Sequence, residues 1–82
     1  MNDQRRLYVE AIWAAFQERA ATPTTRMMSP AEWALLSKWM DAKIPLRIVL
    51  RAIQDHRGQP RSLLALQASV EEEYRHWQRA LG

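Results

Sequence analysis

The 82-residue chain contains no cysteine and only two glycines. Without thiols it can have neither a disulfide framework nor a thiolate metal site, which is compatible with the cytoplasmic location expected here. Because glycine serves turns and bulges, its scarcity favours helices over strands. The longest apolar run near the N-terminus, residues 11–16, is far too short to cross a bilayer. The sequence therefore predicts a small helical protein without a secretory leader or a membrane span.

The composition is that of a globular domain, with 48% apolar and 26% charged residues. A chain of this length buries about 60–65% of the surface of its unfolded form, which predicts one small domain over residues 1–82 with modest stability. Four tryptophans provide large apolar side chains for a core or for a protein interface. The net charge of +3 is compatible with nucleic-acid binding but is not diagnostic of it.

The clearest local signal is the start of a helix at residues 28–33. Ser29 is a good N-cap, and Pro30 at the first helical position loses only an N–H that has no helical partner. Glu32, three residues after the cap, can reach back to the N–H of Ser29 and close a capping box. Met28 and Trp33 have the spacing of a hydrophobic staple. These signals agree on a helix that begins at Pro30.

Helical periodicity and terminator residues predict an all-α bundle of four helices, with a helix 2-turn-helix 3 unit at its centre. Pro45 separates the second and third helices, and Gly58 is a candidate left-handed residue after the third. A second capping-box pattern at Ser69 leaves open a break in the last helix. The predicted elements are helix 1 at about 4–20, a loop at 21–28, helix 2 at 30–41, helix 3 at 45–57 and helix 4 at 62–80.

Each predicted helix has an apolar stripe that we expect to face the core. On helix 1, Arg19 lies off the stripe and is expected in water, and on helix 2 the same holds for Glu32. The expected core residues are Tyr8, Val9, Ile12, Trp13 and Phe16 on helix 1, Trp33, Leu36, Trp39 and Met40 on helix 2, Leu46, Val49, Leu50 and Ile53 on helix 3, and Leu63, Leu66, Val70, Tyr74 and Trp77 on helix 4.

Residues with catalytic or metal-binding chemistry are not arranged in a recognisable motif. His56 and His76 have no second ligand at metal-binding spacing, and His56 is better placed to interact with a helix C-terminus. The consecutive acidic residues 71–73 point in different directions on a helix, so at most one or two of them could meet at one ion. We therefore expect a protein that is not an enzyme, with no catalytic residues, metal, cofactor or small-molecule substrate.

Basic residues recur on the predicted third helix. Lys43, Arg47 and Arg51 are spaced i, i+4, i+8, on the side that the apolar stripe leaves outside. Between Lys38 and Arg61 the chain has six basic and two acidic residues, a net charge of +4. Because helices 2 and 3 have the outline of a helix-turn-helix, helix 3 could contact phosphates or base edges. The predicted nucleic-acid-binding residues are Lys43, Arg47, Arg51, Gln54, Arg57 and Arg61.

An alternative interpretation is that the protein is a helical protein-interaction or assembly module that binds another protein or a second copy of itself. Ile48 lies between Leu46 and Val49 and cannot share the centre line of their stripe. If Ile48 and Leu35 are exposed, together with Trp77 they predict an apolar surface for a partner. If instead the bundle surrounds helix 3, these side chains are core residues. The sequence leaves both alternatives open.

Residues 28–77 resemble the DnaD-like domains of bacterial and phage replication proteins. The resemblance lies in the capped start at 29–32, the Trp39-Met40 pair, the short polar connector 41–43, the apolar segments 44–46 and 49–53, and the aromatic pair Tyr74 and Trp77. The two aromatic residues are closer together here than in that family. The resemblance implies a small helical accessory domain that associates with DNA in a nucleoprotein complex.

Overall fold

A computed structural model describes residues 3–20 and 27–81. This part of the chain forms four α-helices and a 310-helix and contains no strand, so the predicted all-α fold class is confirmed. The helices are α1 (Asp3–Arg19), α2 (Pro30–Asp41), α3 (Leu46–Asp55) and α4 (Gln67–Leu81), and the 310-helix is Leu63–Leu66. Within the described residues, no helix is long and apolar enough to traverse a bilayer. Most of the predicted loop at 21–28 lies outside the described residues.

Two helices have boundaries that differ from those expected. The third helix was expected to span 45–57, but Pro45 is its N-cap with ψ 142°, and the extended backbone of His56, with ψ 132°, ends it at Asp55. In the last helical segment, 310 geometry changes to α geometry at Gln67, and α4 continues through Ser69 without a break there. Gly58 has the expected left-handed backbone, with φ 80°.

The capping box at the start of α2 is present. The N–H of Glu32 donates to Ser29 Oγ at 3.2 Å, and the N–H of Ser29 donates to Glu32 Oε1 at 2.9 Å. The other carboxylate oxygen, Oε2, accepts a bond of 3.0 Å from the N–H of Leu63, the first residue of the 310-helix. Because Glu32 is only 1% exposed, this carboxylate joins two distant segments in the interior.

Helix α2 buries Leu36 and Trp39 as predicted, but its buried face is rotated from the one that its apolar pattern predicts. Glu32, expected in water, is buried, whereas Trp33, expected in the core, is 48% exposed. The buried set has the helical spacing i, i+3, i+4, i+7 and consists of Glu32, Leu35, Leu36 and Trp39. Since the Glu32 side chain must reach Leu63, α2 is turned so that Leu35 points inward and Trp33 points outward.

The central helix is α3, which packs against both α1 and α4. Its buried residues are Ile48, Val49, Ala52 and Ile53. Leu46, an expected core residue, is only partly buried, and the same is true of Leu50. Contact with helices on two sides widens the buried arc beyond one stripe, and this explains why Ile48 is part of the core.

The exposed apolar surface predicted around Leu35 and Ile48 does not exist, because each side chain is only 5% exposed. Both belong to a single core cluster with residues of all four helices. Burial of a side chain of this size stabilises the fold by about 1.5–3 kcal/mol relative to leaving it in water. These two residues therefore stabilise the monomer and are not available to a partner.

Helix α1 buries Val9, Ile12 and Phe16, as its periodicity predicts. Arg19, expected in water, is instead partly buried at the C-terminal end of the helix. Its Nη2 donates to the carbonyl oxygen of His56 and, at 3.4 Å, to that of Gly58. A cation at the end of α3 satisfies carbonyls that have no helical N–H partner and interacts favourably with the helix dipole.

The Glu32 contacts generate a stability prediction. Glu32→Ala removes the acceptor for the N–H of Leu63 and half of the capping box, so the free energy of unfolding should fall by about 2 kcal/mol. Glu32→Gln should cost about half as much, because one amide oxygen can replace only one of the two acceptors. Urea unfolding followed by circular dichroism measures both changes.

Glu72→Ala is the matched control, since Glu72 is an exposed residue of α4. It should change the free energy of unfolding by no more than about 0.5 kcal/mol. An equal effect of the Glu32 and Glu72 substitutions would contradict the role assigned to the buried carboxylate.

Candidate nucleic-acid interface

The turn between α2 and α3 is a Schellman motif. The N–H of Lys43 donates to the carbonyl of Met40 at 3.0 Å, and the N–H of Ile44 donates to the carbonyl of Trp39 at 3.1 Å. Lys43 occupies the left-handed position with φ 61°, where glycine is the usual residue. Ile44 and Trp39 are both buried, which supplies the apolar contact that accompanies this motif. The turn is therefore sharp even though it contains no glycine.

Two tyrosines hold this turn from different helices. Tyr8 Oη of α1 donates to the carbonyl of Ile44 at 3.0 Å, and Tyr74 Oη of α4 donates to the carbonyl of Ala42 at 3.1 Å. Burial raises the pKa of Tyr8 from 10.0 to about 12, because the phenolate is disfavoured away from water. The two hydrogen bonds flank Lys43 and fix the backbone that leads into α3.

The outer face of α3 carries Arg47, Arg51 and Gln54, all of which are exposed. Their spacing of four and three residues places them on one side of the helix. The opposite side contains the buried Val49, which with its neighbours anchors the helix in the core. Lys43 is also exposed, but it lies in the left-handed turn before α3, where helical spacing does not apply. The structure therefore brings three of the predicted binding residues to one face of α3 and leaves Lys43 in the turn before it.

The cations of this face have only weak contacts with the rest of the chain. Arg51 Nε lies 3.9 Å from Asp55 Oδ2, with both side chains well exposed at 71% and 64%. An exposed pair of this kind contributes about 0–1 kcal/mol and is readily exchanged for another anion. The Arg47 guanidinium carbon lies 5.9 Å from the centre of the Trp77 ring, a cation–π contact.

Arg57 and Arg61 do not continue the row. Both are exposed, but they follow the end of α3, and the chain changes direction at the left-handed Gly58. The helical spacing that unites the other predicted residues therefore ends before them. The structure separates the predicted set into three residues on the α3 face, Lys43 in the turn before it, and two residues after the helix ends.

An open groove of about 610 Å³ lies between α3 and α4. Ile48, Ala52 and Trp77 contribute apolar lining, and the acidic residues Asp55, Glu72 and Glu73 also line it, as do both histidines. Among the described residues, no group of three or more His, Asp or Glu side chains is arranged to hold a metal ion. Arg51 also lines this groove, so the basic face and the carboxylates, which repel phosphate, adjoin at Arg51.

Trp77, the third residue of the predicted protein interface, is half-buried between neighbours. It stacks on Tyr74 with 5.8 Å between ring centres, and the Arg47 guanidinium lies over it. Trp77 therefore contacts Arg47, and it lines the α3–α4 groove together with the largely buried Ile48 but not with Leu35. The three residues of the predicted protein interface do not form one surface.

Sequence reasoning missed the two tyrosine hydroxyls and the left-handed Lys43. The position of Tyr8 at the edge of the α1 stripe is a usable signal, because a buried tyrosine normally needs a hydrogen-bond partner. Which carbonyl it meets depends on a contact across 36 residues. No local pattern contains that information.

Tyr8→Phe tests the attachment of the turn. The change leaves the carbonyl of Ile44 without its hydroxyl donor and should lower the free energy of unfolding by about 1 kcal/mol. Since the pKa of Tyr8 is raised from 10.0 to about 12 on folding, its contribution is complete below pH 10 and is lost as the pH rises to 12. The wild type should therefore lose more stability over this range than Tyr8→Phe, as measured by urea unfolding at several pH values.

Tyr74→Phe is the comparison variant, because Tyr74 makes the equivalent bond from a more exposed position. Its cost should be smaller than that of Tyr8→Phe. Identical pH dependence of the wild type and Tyr8→Phe would refute the assignment of a buried, hydrogen-bonded phenol.

The chain matches no protein-family model, and comparison with curated proteins and with solved structures finds no significant match. The resemblance of residues 28–77 to DnaD-like domains stays a prediction. The interpretation of the site therefore depends on its geometry: a helix packed on one side, cations on the other, and a turn held by two tyrosines.

Proposed function

We propose that the protein binds duplex DNA through the outer face of α3, as a non-enzymatic accessory protein of a nucleoprotein assembly. The observation that carries the proposal is the division of α3 into a buried side and a side with Arg47, Arg51 and Gln54. A helix anchored in this way presents its cations at fixed spacing. A recognition helix in the major groove has the same arrangement, with one side packed on the protein and polar side chains on the other.

The residue types suit different parts of the duplex. Arginine binds phosphate oxygens or the O6 and N7 atoms of guanine through two parallel hydrogen bonds. Gln54 can do the same with adenine N6 and N7. Lys43, at the turn before the helix, is a point charge suited to a backbone phosphate. The face therefore combines sequence-independent attraction with groups able to read bases.

The surrounding charges favour one docking orientation. Lys43 lies in the turn before α3, Arg47 is the second residue of the helix and Arg51 the sixth, whereas Asp55 lies at its last position. Glu72 and Glu73 of α4 line the groove next to that end. Repulsion between these carboxylates and phosphate directs the N-terminal half of α3 toward DNA. Recognition helices commonly contact bases through their N-terminal residues.

The resemblance to DnaD-like domains implies the same class of partner and supports the proposal. The second candidate, an apolar protein interface around Leu35 and Ile48, loses its support because both side chains are buried. The basic face remains the best-supported functional surface of the described chain.

The first test is the salt dependence of binding to a fluorescent DNA duplex. Three phosphate contacts, from Lys43, Arg47 and Arg51, predict a slope of about −3 in a plot of log affinity against log salt concentration. Arg47→Glu/Arg51→Glu should weaken binding by at least about 100-fold at low salt, since it removes two contacts and adds two repulsions.

Arg75→Glu/Arg79→Glu is the matched control, with the same change of net charge on exposed residues of α4. It should lose much less affinity than the α3 double variant, and circular dichroism should show both variants to be helical. Equal losses of DNA affinity in the two variants would show that binding depends only on the net charge of the protein. The α3 proposal would then be rejected.

Lys43→Gly separates binding from stability. Glycine adopts the left-handed conformation without the strain that a lysine Cβ introduces, so the free energy of unfolding should rise by about 0.5–1 kcal/mol. DNA affinity should fall at the same time, and the salt slope should decrease in magnitude by about 1. Urea unfolding and fluorescence anisotropy measure the two effects, and an unchanged salt slope would exclude Lys43 from the contact face.

A further inference from the structure

A second groove, of about 410 Å³, lies between α1 and α2 and shares no residue with the basic face of α3. Val9, Trp33 and Met40 contribute its apolar lining. Trp33 is 48% exposed, although indole is among the costliest side chains to leave in water. The rotation of α2 that buries Glu32 also places the Trp33 indole in the groove.

The charged residues that line the groove have a net positive charge. Arg5, Arg6 and Glu10 come from α1, whereas Ser37 of α2 is neutral. Arg6 Nε donates to Glu10 Oε1 at 3.1 Å, so the one carboxylate of the groove is already paired. Arg5 has no ion pair among the described residues. An apolar floor is therefore combined with an uncompensated positive charge.

We propose that the α1–α2 groove docks an acidic, amphipathic segment of a partner protein, with an apolar side chain on Trp33 and a carboxylate at Arg5. Tryptophan and arginine are the residue types that most often carry the binding energy of protein interfaces. The lining residues cover about two turns of each helix, which suits a short helical segment with apolar residues at i, i+3 and i+4.

Other occupants fit the groove less well. Nucleic acid would gain from the arginine charge but would leave the apolar floor of Val9 and Met40 without a complementary surface. A second copy of this chain would bring another positive groove against the first, and like charges disfavour that contact. Charge and apolar area together favour an acidic protein segment.

The test uses a fluorescein-labelled synthetic peptide with leucine at helical spacing and glutamate at the remaining positions, and a second peptide in which lysine replaces glutamate. The full-length protein should bind the glutamate peptide with micromolar affinity and the lysine peptide at least about tenfold more weakly. Arg5→Glu and Trp33→Ala should each reduce affinity for the glutamate peptide by about tenfold or more.

Arg79→Glu, an exposed charge reversal on α4, is the control and should retain peptide binding. Arg47→Glu/Arg51→Glu should also retain it, so loss of DNA binding and loss of peptide binding can be told apart. Because Trp33→Ala could affect folding, circular dichroism is recorded for each variant, and Arg5→Glu gives an independent result on a residue outside the core.

Three results would overturn the proposal. The first is equal binding of the two peptides, or no binding of either at about 1 mM. The second is a dimer in light scattering that Trp33→Ala dissociates, which would identify a second copy as the occupant. The third is DNA binding that Arg5→Glu abolishes and Trp33→Ala does not, which would assign the groove to nucleic acid.

Discussion

The buried carboxylate of Glu32 connects two parts of the chain that are 31 residues apart. One oxygen closes the capping box at the start of α2, and the other accepts the N–H of Leu63. A buried carboxylate is tolerated only when its oxygens are hydrogen-bonded, so this pairing restricts how α2 can be rotated. The exposure of Trp33 and the burial of Leu35 both follow from that rotation.

The second organising element is α3, which is held between α1 and α4. Its inner residues Val49 and Ile53 are fully enclosed, and this leaves only a narrow outer face for polar side chains. The turn before it is held by hydroxyls from both neighbouring helices. Rigid presentation of a few cations is useful for binding DNA, because little conformational entropy is lost when the contacts form.

Charge is distributed in a way that separates the two proposed surfaces. The α3 face has cations near its start and carboxylates near its end and on α4. The α1–α2 groove has an apolar floor beside Arg5. The two proposals therefore assign a phosphate backbone and an acidic amphipathic segment to different residues. Such an arrangement would allow one small domain to bind both at once.

The sequence by itself determined what local physics controls: the all-α class, the start of α2 at its Ser29 cap, and the helical spacing of Arg47 and Arg51. Only the tertiary structure decided the direction each helix faces, because that depends on contacts between distant residues. Apolar patterns selected Trp33 for the core, but the Glu32–Leu63 bond turned it outward. Packing on two sides of α3 likewise enclosed Ile48. The helical period of the sequence identifies one apolar face, but it does not say how many helices pack around it.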